Sequence, residues 1–360
     1  MRVLCVNDLP PGGTSGAEVH LELLMAGLER AGDEVRLFTR PPHQGVARLA
    51  DTWDRGARRA LDEDVRRWRP DVLHFHNVVR ELSVAVLSAA PDVPRVLTVH
   101  DGRLLGDADG QGALLRAWQR GLRAPMDRSV ARRRAGVTIS VSGPLSKRLE
   151  AAGFQQVRHI APWTRAPMTP PVSAASSTDL VFVGRLDPDK GVDVLLHAFA
   201  QLDDIDARLL IAGAGSLEAD VQRAAAHSAG RVIALGRLDR AEVSRLLAGA
   251  RAVVLPSRPG LRPEGAPLAL IEGLMHGRPL VVSDDPGAME VAHADGHDEP
   301  AGLVTRAGDV ADLARALRLV LTDDALATRL SAAAQLHAAS HGEDQGIPQV
   351  RDCYRLAGAA

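Results

Sequence analysis

The sequence predicts an α/β protein with two doubly wound parallel-sheet domains, and three observations carry that expectation. The chain has 360 residues, long for one compact domain and ample for two. Short β-branched runs alternate with amphipathic helical stretches along most of its length, the rhythm of βαβ units. That rhythm halts once, at the Pro-, Ser- and Thr-rich segment APWTRAPMTPPVSAASST, residues 161–178. It then restarts, so the segment reads as a linker between two similar halves.

In the first half, strands are expected at Arg2–Val6, Glu34–Phe38, Val72–Phe75, Val96–Val99, Gly136–Val141 and Val157–Ile160. Helical patterns lie between them, among them Ala17–Ala31 and Leu82–Ala89. The second half supplies DLVFVG, RLLIAG, RVIALG, RAVVLP and RPLVVS, each followed by a helical stretch. The expected organisation is a first domain over 1–165, a linker over 166–178 and a second domain over 179–342. The final stretch, 343–360, is helical in pattern, with a return to the first domain left open. Two such sheets bring the carboxyl ends of their strands, where ligands bind, to a shared cleft.

Composition narrows the function classes. Hydrophobic residues make up 46% and charged residues 24%, which fits a folded chain rather than a disordered one. A formal charge of -2 gives no footprint for nucleic acid. Cys5 and Cys353 stand at opposite ends, so a structural disulfide is not expected and a reducing compartment is. No apolar stretch reaches the length of a membrane span, and MRVLCVNDLPPGG turns polar too soon for a signal peptide. The expectation is a cytoplasmic protein with at most peripheral membrane contact. The arginine run Arg116, Arg120, Arg123, Arg128 and Arg132–Arg134, with Trp118, is the candidate for such contact. In an arginine-rich chain it reads first as a solvated face.

The densest group of chemistry-bearing residues is SRPGLRPEGAPLALIEGLMHGRPLVVS, residues 257–283. Glu264 is expected at the mouth of an apolar helix that Gly277 closes, and Glu272 eight residues further along. In a continuous helix the pair would be separated by roughly 12 Å along the axis, the span from a sugar ring to a ribose joined by a diphosphate. The backbone N–H groups of Gly265, Ala266 and Leu268, between the carboxylates, offer a site for a dianion. Upstream, DLVFVGRLDPDKGVDVLLHAF places Arg185 at the end of a strand and Lys190 at the start of a helix. Two fixed cations there would stabilise charge building on a departing diphosphate. Only Lys147 and Lys190 are lysines among 43 Lys and Arg residues, so a compact ammonium at 190 reads as a chemical requirement.

EGAPLALIE followed by GLMHGRPLVVSDDPGAMEV, together with the G-R-x-x-x-x-K-G spacing of residues 184–191, resembles the signature of the family-4 retaining glycosyltransferases of GT-B fold. The resemblance runs from SGAEVH near the start to the helices before residue 340 and is strongest over 179–292. It implies two Rossmann-like domains and a nucleoside-diphosphate-sugar donor, with no cofactor and no metal. Glu264 would contact the transferred sugar, Glu272 the ribose hydroxyls, and Arg185 with Lys190 the diphosphate. Asp187-Pro-Asp189 matches a metal-binding D-x-D only in spelling and is expected to be a polar turn.

Weaker signals complete the set. Gly16 closes a glycine-rich turn before a helix and resembles the G-x-E loop of the family. His100 ends the strand RVLTVH, where relatives carry a histidine against the donor sugar or the phosphate. Gly213 and Gly236 end strands in the second half and are placed along the nucleotide. His74 and His76 share a strand face but lack companion ligands for a metal. The resemblance also has gaps: residues 258–263 lengthen the loop before Glu264, and Pro267 removes one N–H from the phosphate site. The acceptor is not legible, whether small molecule, lipid or glycan. A nucleotide-sugar epimerase of the same architecture and a non-catalytic nucleotide-sugar-binding subunit stand as alternatives.

Overall fold

The computed structural model describes residues 1–8, 16–40, 53–79, 82–107, 119–258, 263–293 and 298–359. Arg116, Trp118, Asp295 and His297 lie outside the described residues. The chain forms two compact units, Met1–Trp163 with Glu343–Ala360, and Thr164–Gly342.

The first unit holds six parallel strands: β1 (Arg2–Val6), β2 (Glu34–Phe38), β3 (Val72–Phe75), β4 (Arg95–Val99), β5 (Val137–Ser140) and β6 (Val157–His159). Their order is β2-β1-β3-β4-β5-β6, so the sheet reverses direction of growth between β1 and β3. The inner strands β3, β4 and β5 are buried along their full length, as continuous apolar runs in a doubly wound sheet must be. The stretch expected as a helix over Leu82–Ala89 is instead a short 3-10 segment, Val84–Ser88. All five of its residues are buried, so it has no polar face to set against water, and the apolar stripe of a surface helix is missing.

The closing helix, Glu343–Leu356, belongs to this first unit. It contributes Ile347, Val350, Cys353 and Tyr354 to the core that contains Cys5, Leu24 and Trp163. Arg30 and Glu343 pair at its start. Both cysteines are free and buried in this core.

The second unit holds β7 (Asp179–Val183), β8 (Arg208–Ala212), β9 (Val232–Gly236), β10 (Ala252–Leu255), β11 (Leu280–Ser283) and β12 (Gly302–Thr305). Their order is β12-β11-β10-β7-β8-β9, with every neighbouring pair parallel. The sheet therefore grows outward in both directions from β7, and its switch point lies between β7 and β10. β12 is a strand that the sequence pattern did not announce.

Residues 164–178 are fastened to this second unit. Val172 N donates to Ala248 O at 3.0 Å and Met168 N to Ser244 Oγ at 3.2 Å. Two arginines that are only 1% exposed finish the attachment. Arg251 reaches Ala174 O, Val320 O and Leu321 O, and Arg278 reaches His276 O, Ala250 O and Val172 O. These charged donors help to satisfy buried carbonyls; Ala174 O also accepts from Ser177 N at 3.2 Å. Arg278→Ala orphans three carbonyls at once, and each costs about 1–3 kcal/mol. The expected result is a loss of about 3–5 kcal/mol in urea unfolding of the second unit, with a matching fall in its thermal midpoint.

Candidate active site

At the switch point of the second sheet, β7 runs into Gly184 and Arg185 while β10 runs into Pro256 and Ser257. Two glycines allow the chain to close up there. A Cβ on Gly213, which has φ 149°, would lie 1.8 Å from Gly184 O. On Gly191, at φ 67°, it would lie 2.0 Å from Pro256 O. Both contacts are impossible for any other residue, and the two glycines thereby set the positions of Arg185 and Lys190. Gly236 ends β9, and its carbonyl accepts from Gly213 N at 2.7 Å.

Lys190 and Glu264, 74 residues apart, meet directly. Lys190 Nζ donates to Oε1 at 2.5 Å and Oε2 at 2.6 Å of Glu264, and Ser257 Oγ also donates to Oε1 at 2.5 Å. The pair is largely out of water, its side chains 17% and 10% exposed. Arg185 is held from the other side. Its guanidinium donates to Asp187, and to Asp189 at 2.5 Å. Asp187 in turn accepts from Ser216 N and Oγ at 3.0 and 2.9 Å. The two aspartates are thus the brackets that aim the arginine, a larger part than a polar turn.

The backbone at Glu264 corrects the expected helix boundary. The helix spans Leu268–Met275 with Pro267 at its N-cap, so Glu264 precedes it by a short non-helical segment. Pro263, Gly265 and Pro267 interrupt helical geometry at alternate positions. The rise of roughly 12 Å assumed for a continuous helix therefore does not describe the separation of Glu264 and Glu272. Leu268 is the first helical residue, while Gly265 and Ala266 lie in the preceding segment. Among the described residues, no hydrogen bond engages the N–H groups of Gly265, Ala266 or Leu268. Gly277, at φ 61°, closes the helix as expected.

Asp285 fixes the segment in place. One of its oxygens accepts from Glu264 N at 3.0 Å, the other from Gly287 N and Ala288 N at 3.0 and 3.2 Å. It is fully buried, and burial together with the charge of Glu264 pushes its pKa up to about 6. Glu272 is half-buried, and desolvation raises its carboxyl above the usual range against the opposing charge of Arg240. Sequence reasoning missed Ser257, Ser216 and Asp285. Ser257 is within reach of the sequence, since it follows the strand beside β7 by two residues.

In the first unit, Gly16 opens the helix Gly16–Arg30, and His100 follows β4. His100 is one of four clustered histidines. His76 Nδ1 and His100 Nε2 are 3.1 Å apart. His74 bonds Tyr354 Oη at 2.8 Å and Thr98 Oγ1 at 2.7 Å. His20 meets His100 and Trp163 edge-on. Burial lowers the pKa of each, to about 3 for His74 and about 4 for His100. Among the described residues no group of three or more His, Cys, Asp or Glu has the arrangement of a metal site.

Two Rossmann-like units, with a paired carboxylate and cations at the second switch point, define a glycosyltransferase of the GT-B type. Residues 171–337 match the family model for glycosyl transferases group 1, and residues 14–163 that for glycosyltransferase family 4. A glycogen synthase of Mycobacterium tuberculosis is 30% identical over 93% of this chain and 89% of its own length. A GDP-mannose-dependent phosphatidylinositol monomannoside mannosyltransferase of Corynebacterium glutamicum is 33% identical over 47% of this chain and 42% of its own. In fold, the chain is similar to sucrose-phosphate synthase from Thermosynechococcus elongatus, with TM-score 0.81, 20% identity and 98% of both chains covered. It is likewise similar to Anabaena Alr3699/HepE in complex with UDP and glucose, with TM-score 0.73, 18% identity and 98% of both chains covered. The chain belongs to the family-4 glycosyltransferases. Among the described residues no helix is long and apolar enough to cross a membrane.

Proposed function

We propose that this glycosyltransferase takes its sugar from a nucleoside diphosphate, retains the anomeric configuration and needs no metal. The observation that carries this reading is the Lys190–Glu264 pair at the switch point of the second sheet, with Arg185 held by Asp189, the residue before Lys190. Diphosphates bind at such a point, beside the carboxyl ends of the strands and free helix N–H groups. The Anabaena relative, whose complex holds UDP and glucose, supports a donor of this class.

In the reaction, the bond between the anomeric carbon and the β-phosphate oxygen breaks as the acceptor hydroxyl oxygen bonds to the same carbon. Its proton passes to the departing phosphate, on the same face of the sugar. Arg185 and Lys190 stabilise the charge that gathers there. Glu264, at the ammonium of Lys190, is assigned to the sugar, Glu272 to the ribose, and the N–H groups of Gly265, Ala266 and Leu268 to the phosphates. Gly213 and Gly236 line the nucleotide. In the first unit, Gly16 and His100 face ligand, and His100 is not assigned as a base. The acceptor is a small molecule, lipid or glycan taken by that unit.

The test is a thermal-shift panel of UDP-, GDP-, ADP- and dTDP-sugars, since a ligand that binds only the folded state raises its midpoint. The product of the best donor is then examined by proton NMR in the presence of a chelator. Retained anomeric coupling is expected. Inverted coupling, or loss of activity in chelator, refutes the corresponding part of the reading.

The pKa of Asp285 adds a pH dependence. Above about 6 it is ionised and accepts all three N–H groups; below, it carries a proton and loses part of that grip. We expect kcat/KM to fall as pH drops through about 6, measured with saturating acceptor. Asp285→Asn turns an amide donor toward one of the N–H groups, so its rate should be low and this acid limb absent.

A further inference from the structure

The histidine cluster of the first unit contains a choice of tautomer that bears on His100. The rings of His76 and His100 lie 5.4 Å apart at 26°, with Nδ1 of one 3.1 Å from Nε2 of the other. That separation is too long for face-to-face stacking and fits two rings meeting edge to edge along one hydrogen bond. Two neutral imidazoles can make this bond in either direction. The protein has to choose one.

The environment of His76 makes the choice. Its Nε2 is buried and, among the described residues, has no hydrogen-bond partner. His74 covers the ring at 4.3 Å, and both nitrogens of His74 are already engaged by Tyr354 and Thr98. A proton on Nε2 of His76 would therefore leave a buried N–H without an acceptor. A proton on Nδ1 leaves only an unshared lone pair there, the less costly of the two orphans. His76 then donates from Nδ1, and His100 accepts at Nε2. Burial and the neighbouring imidazoles keep His76 neutral, which preserves this single donor.

We infer that His76 is a positioning residue that fixes His100 as its Nδ1–H tautomer, so that His100 offers ligand a neutral N–H donor and no basic nitrogen. Nδ1 of His100 makes no hydrogen bond among the described residues. His100 lines a hollow at the end of β4, whose polar lining of His76, Asn77, Thr98, Asp101 and Arg103 stands among valines and leucines. A donor in this position suits a hydroxyl or phosphate oxygen. It is unable to take a proton from an acceptor hydroxyl, because its one lone pair is occupied by His76. The inference rests on the reading of His100 as a ligand-facing residue.

The test is a long-range nitrogen–proton NMR correlation on the full-length protein labelled at histidine, with His100 assigned from the spectrum of His100→Gln. The wild type should show His100 protonated at Nδ1 with Nε2 as acceptor, and His76 likewise protonated at Nδ1. His76→Asn, whose amide nitrogen occupies the place of Nδ1, should keep that tautomer. His76→Phe should release it, with a loss of kcat/KM of about tenfold, the weight of one hydrogen bond. An Nε2–H signal for His100 in the wild type, or an unchanged tautomer in His76→Phe, overturns the inference without any appeal to activity. If the tautomer responds as stated while His100→Gln retains full activity, His76 keeps its part and only the ligand-facing reading of His100 falls.

Discussion

Lys190→Met should lower kcat by about 10²- to 10³-fold, the range seen when one preorganised donor to a developing anion is removed. The side chain stays long and apolar, so the loss is of charge rather than bulk. The structure adds a second consequence. Lys190 satisfies both oxygens of Glu264, which is only 10% exposed in its side chain. Without the ammonium that carboxylate loses the donor that engages both of its oxygens, while Ser257 still donates to Oε1. Removing one partner of a buried pair commonly costs about 3–5 kcal/mol, so the variant should also unfold at lower temperature. Lys190→Met with Glu264→Gln separates the two effects: stability should recover while turnover stays low. Lys190→Arg should restore little, because a planar fork does not reproduce a compact ammonium against both oxygens of one carboxylate. Steady-state kinetics beside thermal midpoints for the three variants give the comparison. Wild-type turnover in Lys190→Met would remove the clamp from the account.

The second large effect is loss of stability in mild acid. His20, His74, His76 and His100 have folded-state pKa values below the ordinary 6.5. The unfolded chain therefore binds more protons than the native one below that pH. Stability is fully present above about 6.5 and declines as pH falls toward the lowered values. At pH 5 His74 and His100, with values of about 3 and 4, should each cost on the order of 2 kcal/mol, and His20 and His76 act in the same direction. Asp127, in the same unit, works in the opposite direction: burial raises its pKa to about 6. It returns about 1 kcal/mol over the same interval. The net loss is a substantial part of the stability of a typical domain, roughly 5–15 kcal/mol. Urea midpoints at pH 7, 6 and 5 should fall steeply. His20→Phe, which replaces two unpaired buried nitrogens with carbon, should flatten that fall and raise stability at pH 5. A midpoint independent of pH from 7 to 5 would show that the cluster is protonated in the native state.

The strands of both sheets could be read from the sequence because continuous apolar runs between helices have few alternatives. β12 escaped because Gly302–Thr305 offers only four residues, a glycine followed by a run of three β-branched or aliphatic side chains. Only its pairing with β11 reveals it. Arg185, Lys190, Glu264 and Glu272 stood out by spacing and by the rarity of lysine. Their mutual arrangement did not, since the Lys190–Glu264 contact crosses two βα units. The start of the helix was placed early because a glutamate so often begins one; the prolines around Glu264 override that preference. Asp285 reads in sequence as an ordinary cap before Pro286. Its bond to Glu264 depends on β11 lying beside β10. His74 and His76 invited a metal reading by their i, i+2 spacing. Their actual partners include Tyr354, 280 residues from His74, and no local pattern announces such a pairing.

The most direct measurement is calorimetric titration of nucleoside diphosphates into the wild type and into the Arg185→Met, Lys190→Met double variant. The account expects one site per chain in the wild type. It expects at least hundredfold weaker binding in the double variant, about 2.7 kcal/mol by affinity arithmetic. Equal affinity in the two proteins would contradict it, because the diphosphate would then be held somewhere other than the switch point of the second sheet.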